Sequence, residues 1–107
     1  MIVADSHDVS SAIGVVVTNS CRFAVRSGGH GAAPGVSNIQ DGITIDLSSI
    51  DSVTPEAGNR LVALGPGAEW SKVYRTLAPL GITIPGGTAS GVGAAGSTLG
   101  SESLVVR

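Results

Sequence analysis

The spacing of apolar residues predicts a helix near the start of the chain. The helix-spaced positions are Val9, Ile13, Val16 and Val17. Apolar residues three or four apart fall on one helical face, which indicates that this face is buried. Ser6 is the predicted N-cap, and Asp8 lies in the first turn, where a carboxylate interacts favourably with the helix dipole. The polar residues 18–20 mark the end of this helix.

Short apolar runs predict strands before and after this helix. The predicted strands are residues 1–4, Phe23–Arg26, 43–47, Leu61–Leu64 and 82–84. Within the third run the apolar residues alternate, so Ile43, Ile45 and Leu47 share one face of the strand. Residues 55–59 contain proline and glycine, and they are predicted to form the turn that joins the strands on either side into a pair.

A second helix and a glycine-rich segment complete the pattern. An apolar stripe at i, i+3, i+4 and i+7 comprises Trp70, Val73, Tyr74 and Leu77. Pro79 and Gly81 end this helix. Residues 86–100 are rich in Gly, Ala, Ser and Thr and show no periodicity, so no packed element is predicted there. The order of elements predicts one small α+β unit, with a short mixed β-sheet and two helices.

Composition and charge narrow the function classes. Of the 107 residues, 42% are hydrophobic and 13% are charged, and this charged share is about half the usual one. We therefore expect part of the surface to be covered. A net charge of −2 gives no field for a polyanion, which argues against nucleic acid as a partner. Cys21 is the only cysteine, so a disulfide framework and a structural zinc site within the chain are excluded. No signal peptide or membrane-spanning run is recognised, and the localisation stays undetermined.

The run Val-Arg-Ser-Gly-Gly-His at residues 25–30 follows a predicted strand. Gly28 and Gly29 can adopt positive φ, and successive N–H groups in such a turn form a concave anion site. Arg26 can add a charged hydrogen bond, and the imidazole of His30 can act as a nucleophile, base or ligand. Two interpretations stay open at this point, an ordinary turn and a phosphate-binding loop.

The glycine-rich segment 86–100 also has two interpretations, a flexible linker or a backbone wrapped around a ligand. Apolar residues inside it, Val92 and Leu99, favour the second because they can anchor the segment. The segment lacks the Gly-Lys-Ser/Thr of a Walker motif, and no suitable acidic residue follows it as a Rossmann fingerprint requires.

Several blocks in the correct order resemble the PCMH-type, or vanillyl-alcohol oxidase type, FAD-binding domain. The blocks are 24–31 (AVRSGGHG), 42–48 (GITIDLS), 64–70 (LGPGAEW) and 81–100, which contains PGGT at 85–88. Within that family, the chain is most similar to the berberine-bridge-enzyme-like and 6-hydroxynicotine-oxidase-like FAD-linked oxidases. The resemblance extends over nearly the whole chain and implies the N-terminal subdomain of the FAD-binding domain.

The resemblance implies FAD as the cofactor and assigns two binding loops. The first comprises Arg26, Ser27, Gly28, Gly29, His30 and Gly31. The second comprises Gly87, Thr88, Ser90, Val92, Gly93 and Gly96. His30 stands where many members of the family form a covalent bond to the 8α-methyl group of the flavin. No metal ligand and no catalytic residue is assigned within the chain.

The chain also departs from the family pattern. Ala89 occupies the position of the cysteine that makes a second flavin bond in some members, so no cysteinyl link is expected. Ala95 replaces a glycine, and a positive φ there would cost an L-residue about 1 kcal/mol. Ser97 replaces an apolar residue.

The resemblance implies an oxygen-dependent FAD-linked oxidoreductase that oxidises a C–OH or C–N group of a small molecule. Residues 1–107 would form only part of its FAD-binding domain, without the substrate domain, so we leave open whether the chain itself is an enzyme. Two alternatives remain, a truncated non-catalytic fragment and an independent nucleotide- or phosphate-binding module. The expected partners are FAD and a small-molecule substrate, with no nucleic acid and no membrane.

Overall fold

The structure, a computed structural model, describes residues 1–31, 33–100 and the two-residue strand at 105–106. The elements in chain order are α1 (Ser6–Thr18), β1 (Phe23–Arg26), β2 (Ile43–Asp46), β3 (Val53–Glu56), β4 (Leu61–Leu64), α2 (Trp70–Leu77), a 3₁₀ turn (Ala78–Leu80), β5 (Pro85–Gly86), α3 (Ala94–Leu99) and β6 (Val105–Val106). The predicted α+β class is confirmed. The described strands form three two-stranded ladders. Helix α3 is present in addition to the two predicted helices.

Helix α1 begins one residue earlier than predicted. Its N-cap is Asp5, which has extended backbone and accepts a hydrogen bond from the N–H of Asp8 at 2.8 Å. Ser6 is therefore the first helical residue. The buried face is narrower than the apolar pattern predicted, because Ala12 and Val16 are buried whereas Val17 is 66% exposed.

The first ladder pairs β1 with β2 in parallel, from Phe23 opposite Ile43 to Arg26 opposite Asp46. The prediction that residues 43–47 pair with the strand at Leu61–Leu64 is therefore wrong. The predicted strand at residues 1–4 is reduced to a single bridge between Ile2 and Asp46 at the other edge of β2.

The partner of β4 is β3, which the sequence prediction missed. The two strands run antiparallel, with Pro55 opposite Val62, so part of the predicted turn at 55–59 is strand. The turn itself is shorter, since Ala57, Gly58 and Asn59 all have positive φ between 51° and 64°. Proline is typical of turns, but an edge strand also tolerates it because one side of that strand needs no N–H donor.

The second half of the chain contains α2 as predicted, followed by the 3₁₀ turn and Gly81 in the left-handed conformation. The predicted strand at 82–84 is not formed, and the short strand lies at Pro85–Gly86 instead, paired with β6. The prediction that residues 86–100 contain no packed element is also wrong, because α3 occupies Ala94–Leu99. A helix of small residues gives no apolar stripe, and contacts with α2 determine its position.

Two clusters of buried residues form the core. The larger cluster comprises Ala68, Trp70, Val73, Leu77, Val92 and Ala94. The smaller comprises Val3, Ala12, Ile45 and Leu47, beneath α1. Among the helices that the structure describes, none has the length and apolar content required to cross a bilayer.

The larger cluster predicts unequal effects of substitution at two leucines, Leu77 and Leu80. Leu77 is 1% exposed, whereas Leu80 is 54% exposed. Leu77→Ala should lower the free energy of unfolding by about 2–4 kcal/mol, since it opens a cavity, and Leu80→Ala by less than about 1 kcal/mol. Urea unfolding followed by the fluorescence of the single tryptophan measures both. Equal losses would contradict the assignment of Leu77 to the core.

Candidate functional site

The two loops named from the sequence meet along one groove. The groove has a volume of about 590 Å³. Its walls come from the exit of β1, the region around residues 36–37, the end of β2 and the segment that leads into α3. The lining residues are Val25, Ser27, Gly28, Gly29, His30, Gly31, Val36, Ser37, Leu47, Val92, Gly93, Ala95, Gly96, Ser97, Leu99 and Gly100.

The loop after β1 offers a row of free backbone donors. Gly29 has φ of +75°, which turns the chain sharply after the strand. Among the described residues, the N–H groups at positions 28–31 donate to no other group of the chain. Free N–H groups in succession can bind an anion, because each contributes a partial positive charge.

The two loops touch through their backbones. A Cβ atom at Gly28 would lie 2.9 Å from the carbonyl oxygen of Gly91 and closer still to the nitrogen of Gly93. A Cβ atom at Gly93 would in turn collide with the nitrogen of Gly28 and the hydroxyl of Ser27. Glycine at both positions therefore closes the floor of the groove by direct contact.

The glycine-rich segment is fixed to the start of α2 by main-chain hydrogen bonds. The N–H of Trp70 donates to the carbonyl of Val92 at 3.1 Å, and the N–H of Ala94 donates to the carbonyl of Ala68 at 2.8 Å. Helix α2 has no side-chain N-cap bond, so its first N–H groups donate instead to segment carbonyls, from Trp70 to Val92 and from Ser71 to Ser90. This arrangement excludes the flexible-linker interpretation for residues 90–94.

Side chains of α2 hold the same segment from below. Trp70 is 2% exposed, and its indole N–H donates to the hydroxyl of Ser97 at 2.8 Å. Tyr74 stacks on Trp70 with ring centroids 5.9 Å apart, and its hydroxyl donates to the carbonyl of Gly87 at 2.8 Å. Trp70 and Tyr74 therefore position the loop backbone.

Arg26 lies beside the first loop, outside the groove lining. Its guanidinium forms an ion pair with Asp46 at 2.5 Å, and its stem passes under Gly29. The hydrogen bond from Arg26, aided by the N–H of Ser48, lowers the pKa of Asp46 from 3.8 to about 2. The charge of Arg26 is thus engaged by the end of β2, and its predicted contact with a phosphate stays a prediction.

The chain matches a known protein family and several curated relatives. The family model described as "FAD binding domain" matches residues 1–107. The chain belongs to this family. The FAD-dependent monooxygenase tpcD of Cochliobolus heterostrophus is 40% identical over 94 residues, and the FAD-dependent monooxygenase macF of Penicillium terrestre is 40% identical over 96. These alignments cover 88% and 89% of the chain but 18% of each relative.

Solved structures agree with this assignment. Aclacinomycin oxidoreductase superposes with a TM-score of 0.82 at 34% identity, over 95% of this chain and 21% of that one. For 6-hydroxy-D-nicotine oxidase from Arthrobacter nicotinovorans the TM-score is 0.81 at 25% identity, over 89% and 21%. The predicted resemblance to PCMH-type FAD oxidases is confirmed, and the cofactor is FAD.

The groove suits an FAD-binding domain in three ways. Neutral N–H donors lie along one wall, glycine backbones close the floor, and apolar side chains that the sequence prediction missed form the rest. The missed apolar residues are Val25, Val36 and Leu47. Leu99, which was predicted to anchor the segment, lines the groove instead. Leu99 is 85% exposed and Val36 is 54% exposed. The exposure of these apolar side chains beside the two loops is visible only in the folded structure.

Some of the residues predicted to bind FAD line the groove, and others lie outside it. Those that line the groove are Ser27, Gly28, Gly29, His30, Gly31, Val92, Gly93 and Gly96. Gly87 lies against the Trp70 ring, and Thr88 and Ser90 are exposed outside the groove lining. Ala95 is helical with no positive φ, so the backbone strain considered for it does not arise. Ser97 replaces an apolar residue because its hydroxyl has a buried partner.

The contact between Gly28 and Gly93 predicts a clear effect of one methyl group. Gly28→Ala should weaken FAD binding at least tenfold, because the loops must separate to admit the side chain. Gly91→Ala is the matched control, since a Cβ there meets nothing within 4 Å. Titration of FAD by flavin fluorescence measures both. Wild-type affinity in Gly28→Ala would show that the loop contact is unnecessary for binding.

The ion pair of Asp46 predicts a pH-dependent stability. A carboxyl whose pKa is lower in the folded chain stabilises it above the unfolded value and loses this contribution as pH falls toward the folded value. Asp46→Asn should therefore lower the free energy of unfolding by roughly 1–2 kcal/mol at pH 7, a figure reduced for the partly exposed Arg26. The difference from wild type should shrink between about pH 4 and pH 2.

The exposed pair of Lys72 with Asp51 provides the control for that experiment. Asp51→Asn should change stability much less than Asp46→Asn, because exposed ion pairs contribute little. Urea unfolding at pH 7, 4 and 2.5 separates the two variants. A difference for Asp46→Asn that stays constant over this range would contradict the role given to its ion pair.

Proposed function

We propose that residues 1–107 are part of a PCMH-type FAD-binding domain and bind the pyrophosphate of FAD with backbone N–H groups. The observation that supports this most directly is the joining of two glycine loops at Gly28 and Gly93 beside a row of N–H groups that have no acceptor within the described part of the chain. The donors belong to Gly28, Gly29, His30 and Gly31. Neutral donors suit a chain of net charge −2, since they bind an anion without a cluster of cations.

The apolar wall of the groove fits the remaining chemistry of the cofactor. Val25, Val36 and Leu47 line the groove together with the glycine loops. Apolar walls with few polar groups are typical of cofactor sites, because they bury flat ring surface while donors fix the orientation. FAD, when bound, supplies hydride acceptance, and the protein supplies binding and orientation.

His30 is the proposed covalent tether. It lines the groove within the donor row and is exposed, so its imidazole is accessible to a flavin. In such a bond the imidazole would exchange its N–H, and the 8α-methyl one C–H, for a C–N bond. O₂ would be the acceptor of the two electrons and two protons released, with H₂O₂ as the product. Ala89 offers no thiol for a second link.

The complete protein is proposed to be an FAD-linked oxidoreductase that oxidises a C–OH or C–N group of a small molecule, with O₂ as acceptor. The curated relatives are FAD-dependent monooxygenases, and the chain spans 18% of their length. This part of the molecule contributes binding residues, and we assign no catalytic base within it.

The two histidines of the chain provide a matched test of the tether. The chain is expressed with FAD and precipitated in acid, and flavin absorbance is measured in pellet and supernatant. Wild type and His7→Ala should retain flavin in the pellet, because His7 is exposed in the first turn of α1, away from the groove. His30→Ala should release its flavin into the supernatant, since only the non-covalent contacts remain.

Other outcomes of this experiment separate the alternatives. FAD that binds to wild type but is released completely by acid would refute the tether and leave the binding site intact. Equal affinity for ADP and FAD would favour an independent phosphate-binding module. No binding of either ligand would favour a non-catalytic fragment and refute the proposed function.

A further inference from the structure

Trp70, the only tryptophan of the chain, contacts both ends of the glycine-rich segment, yet it does not line the groove. We propose that the hydrogen bond from Trp70 to Ser97 positions the floor of the groove and thereby determines the affinity for FAD. The inference rests on the proposed function, because it assumes that FAD occupies the groove. Trp70 and Ser97 are positioning residues in this proposal.

The hydrogen bonds form a continuous chain from α2 to the floor of the groove. The indole N–H of Trp70 donates to the hydroxyl of Ser97 at 2.8 Å. That hydroxyl, 7% exposed at the residue level, lies 3.0 Å from the carbonyl oxygen of Gly93 and can donate to it. A hydroxyl both accepts and donates, so Ser97 links the indole to the very residue that touches Gly28.

The opposite loop is fixed to the same platform. The hydroxyl of Ser27 donates to the carbonyl of Pro66, four residues before Trp70, and Ala94 donates to the carbonyl of Ala68. Segment 66–70 therefore binds both loops at their point of contact. A shift of Ser97 would move Gly93 with it and change the distance between Gly93 and the N–H donors that follow Ser27.

The indole ring of Trp70 is held in place by its neighbours and cannot turn toward another acceptor. Gly86 and Gly87 lie against its ring so closely that a Cβ at either position would come within 2.6 Å of ring atoms. Tyr74 also stacks on the indole, with ring centroids 5.9 Å apart. If Ser97 lost its hydroxyl, the buried indole N–H would lose its acceptor, and α3 would have to shift to restore one.

The test compares FAD affinity with stability in matched variants. Ser97→Ala should weaken FAD binding about fivefold to tenfold, which corresponds to the loss of one buried hydrogen bond. Thr98→Ala, at an exposed position of the same helix, should stay within about twofold of wild type. Isothermal titration with FAD gives the dissociation constants, and urea unfolding gives the stability of each apo chain.

A double-mutant cycle distinguishes positioning from general destabilisation. Trp70→Phe keeps an aromatic ring but removes the N–H donor, and it should weaken FAD binding by a similar factor. In Trp70→Phe/Ser97→Ala the loss should not multiply, because both changes remove the same bond. If Ser97→Ala fails to fold, Trp70→Phe alone provides the affinity comparison with Thr98→Ala.

Three results would overturn the inference. Wild-type FAD affinity in Ser97→Ala, even with reduced stability, would make the bond purely structural. Losses that multiply in the double variant would show that the two residues act independently. A wild-type chain that binds no FAD would refute the proposed function and this inference together, so the two failures are distinguishable.

Discussion

The direct contact between the backbones of Gly28 and Gly93 is the constraint on which the rest of the site depends. It joins the exit of β1, next to the core beneath α1, to the segment that packs on the larger core of α2. A side chain at either position would separate the loops. The groove is therefore a junction between the two parts of the fold, and its width follows from how closely two stretches of main chain approach.

The electrostatics of the site follow from the same arrangement. The basic residue closest to the first loop, Arg26, is held by Asp46, and its stem supports the turn at Gly29 from below. An anion in the groove would therefore bind the fixed backbone N–H dipoles, because the guanidinium of Arg26 is already paired with Asp46. Fixed donors lose little conformational entropy on binding, whereas a long arginine side chain must be ordered.

Local chemistry made part of the fold predictable. Phe23–Arg26 and Leu61–Leu64 were predicted with the bounds observed, because each run is apolar and ends at glycine, proline or polar residues. The apolar stripe from Trp70 to Leu77 likewise predicted α2, although its end was expected later, at Pro79. The partners of strands were not predictable in this way. Parallel pairing of β1 with β2 depends on a long connection and on α1 above it, and β3 contains a proline that indicates a turn when considered alone.

The candidate site was predictable where a motif determines the backbone and unpredictable where packing does. The order of the glycine motifs led to Ser27–Gly31 without a structure, because close backbone approach requires glycine at fixed places. Ser97 gave no such signal, since a small polar residue in a glycine-rich run resembles loop composition. Its partner, Trp70, lies 27 residues earlier, and only the fold brings the indole to the hydroxyl.

Glycine and other small residues in segment 86–100 therefore have separate causes. Gly86 and Gly87 make room for an indole, Gly93 makes room for another loop, and Ser97 supplies an acceptor. Each of these requirements comes from a neighbour in the fold, so folding and the shape of the groove are determined by the same contacts. A ligand that binds across the junction of two cores stabilises both, because it binds the closed arrangement and not the separated one. Cofactor binding and the stability of this small domain therefore depend on the same contacts.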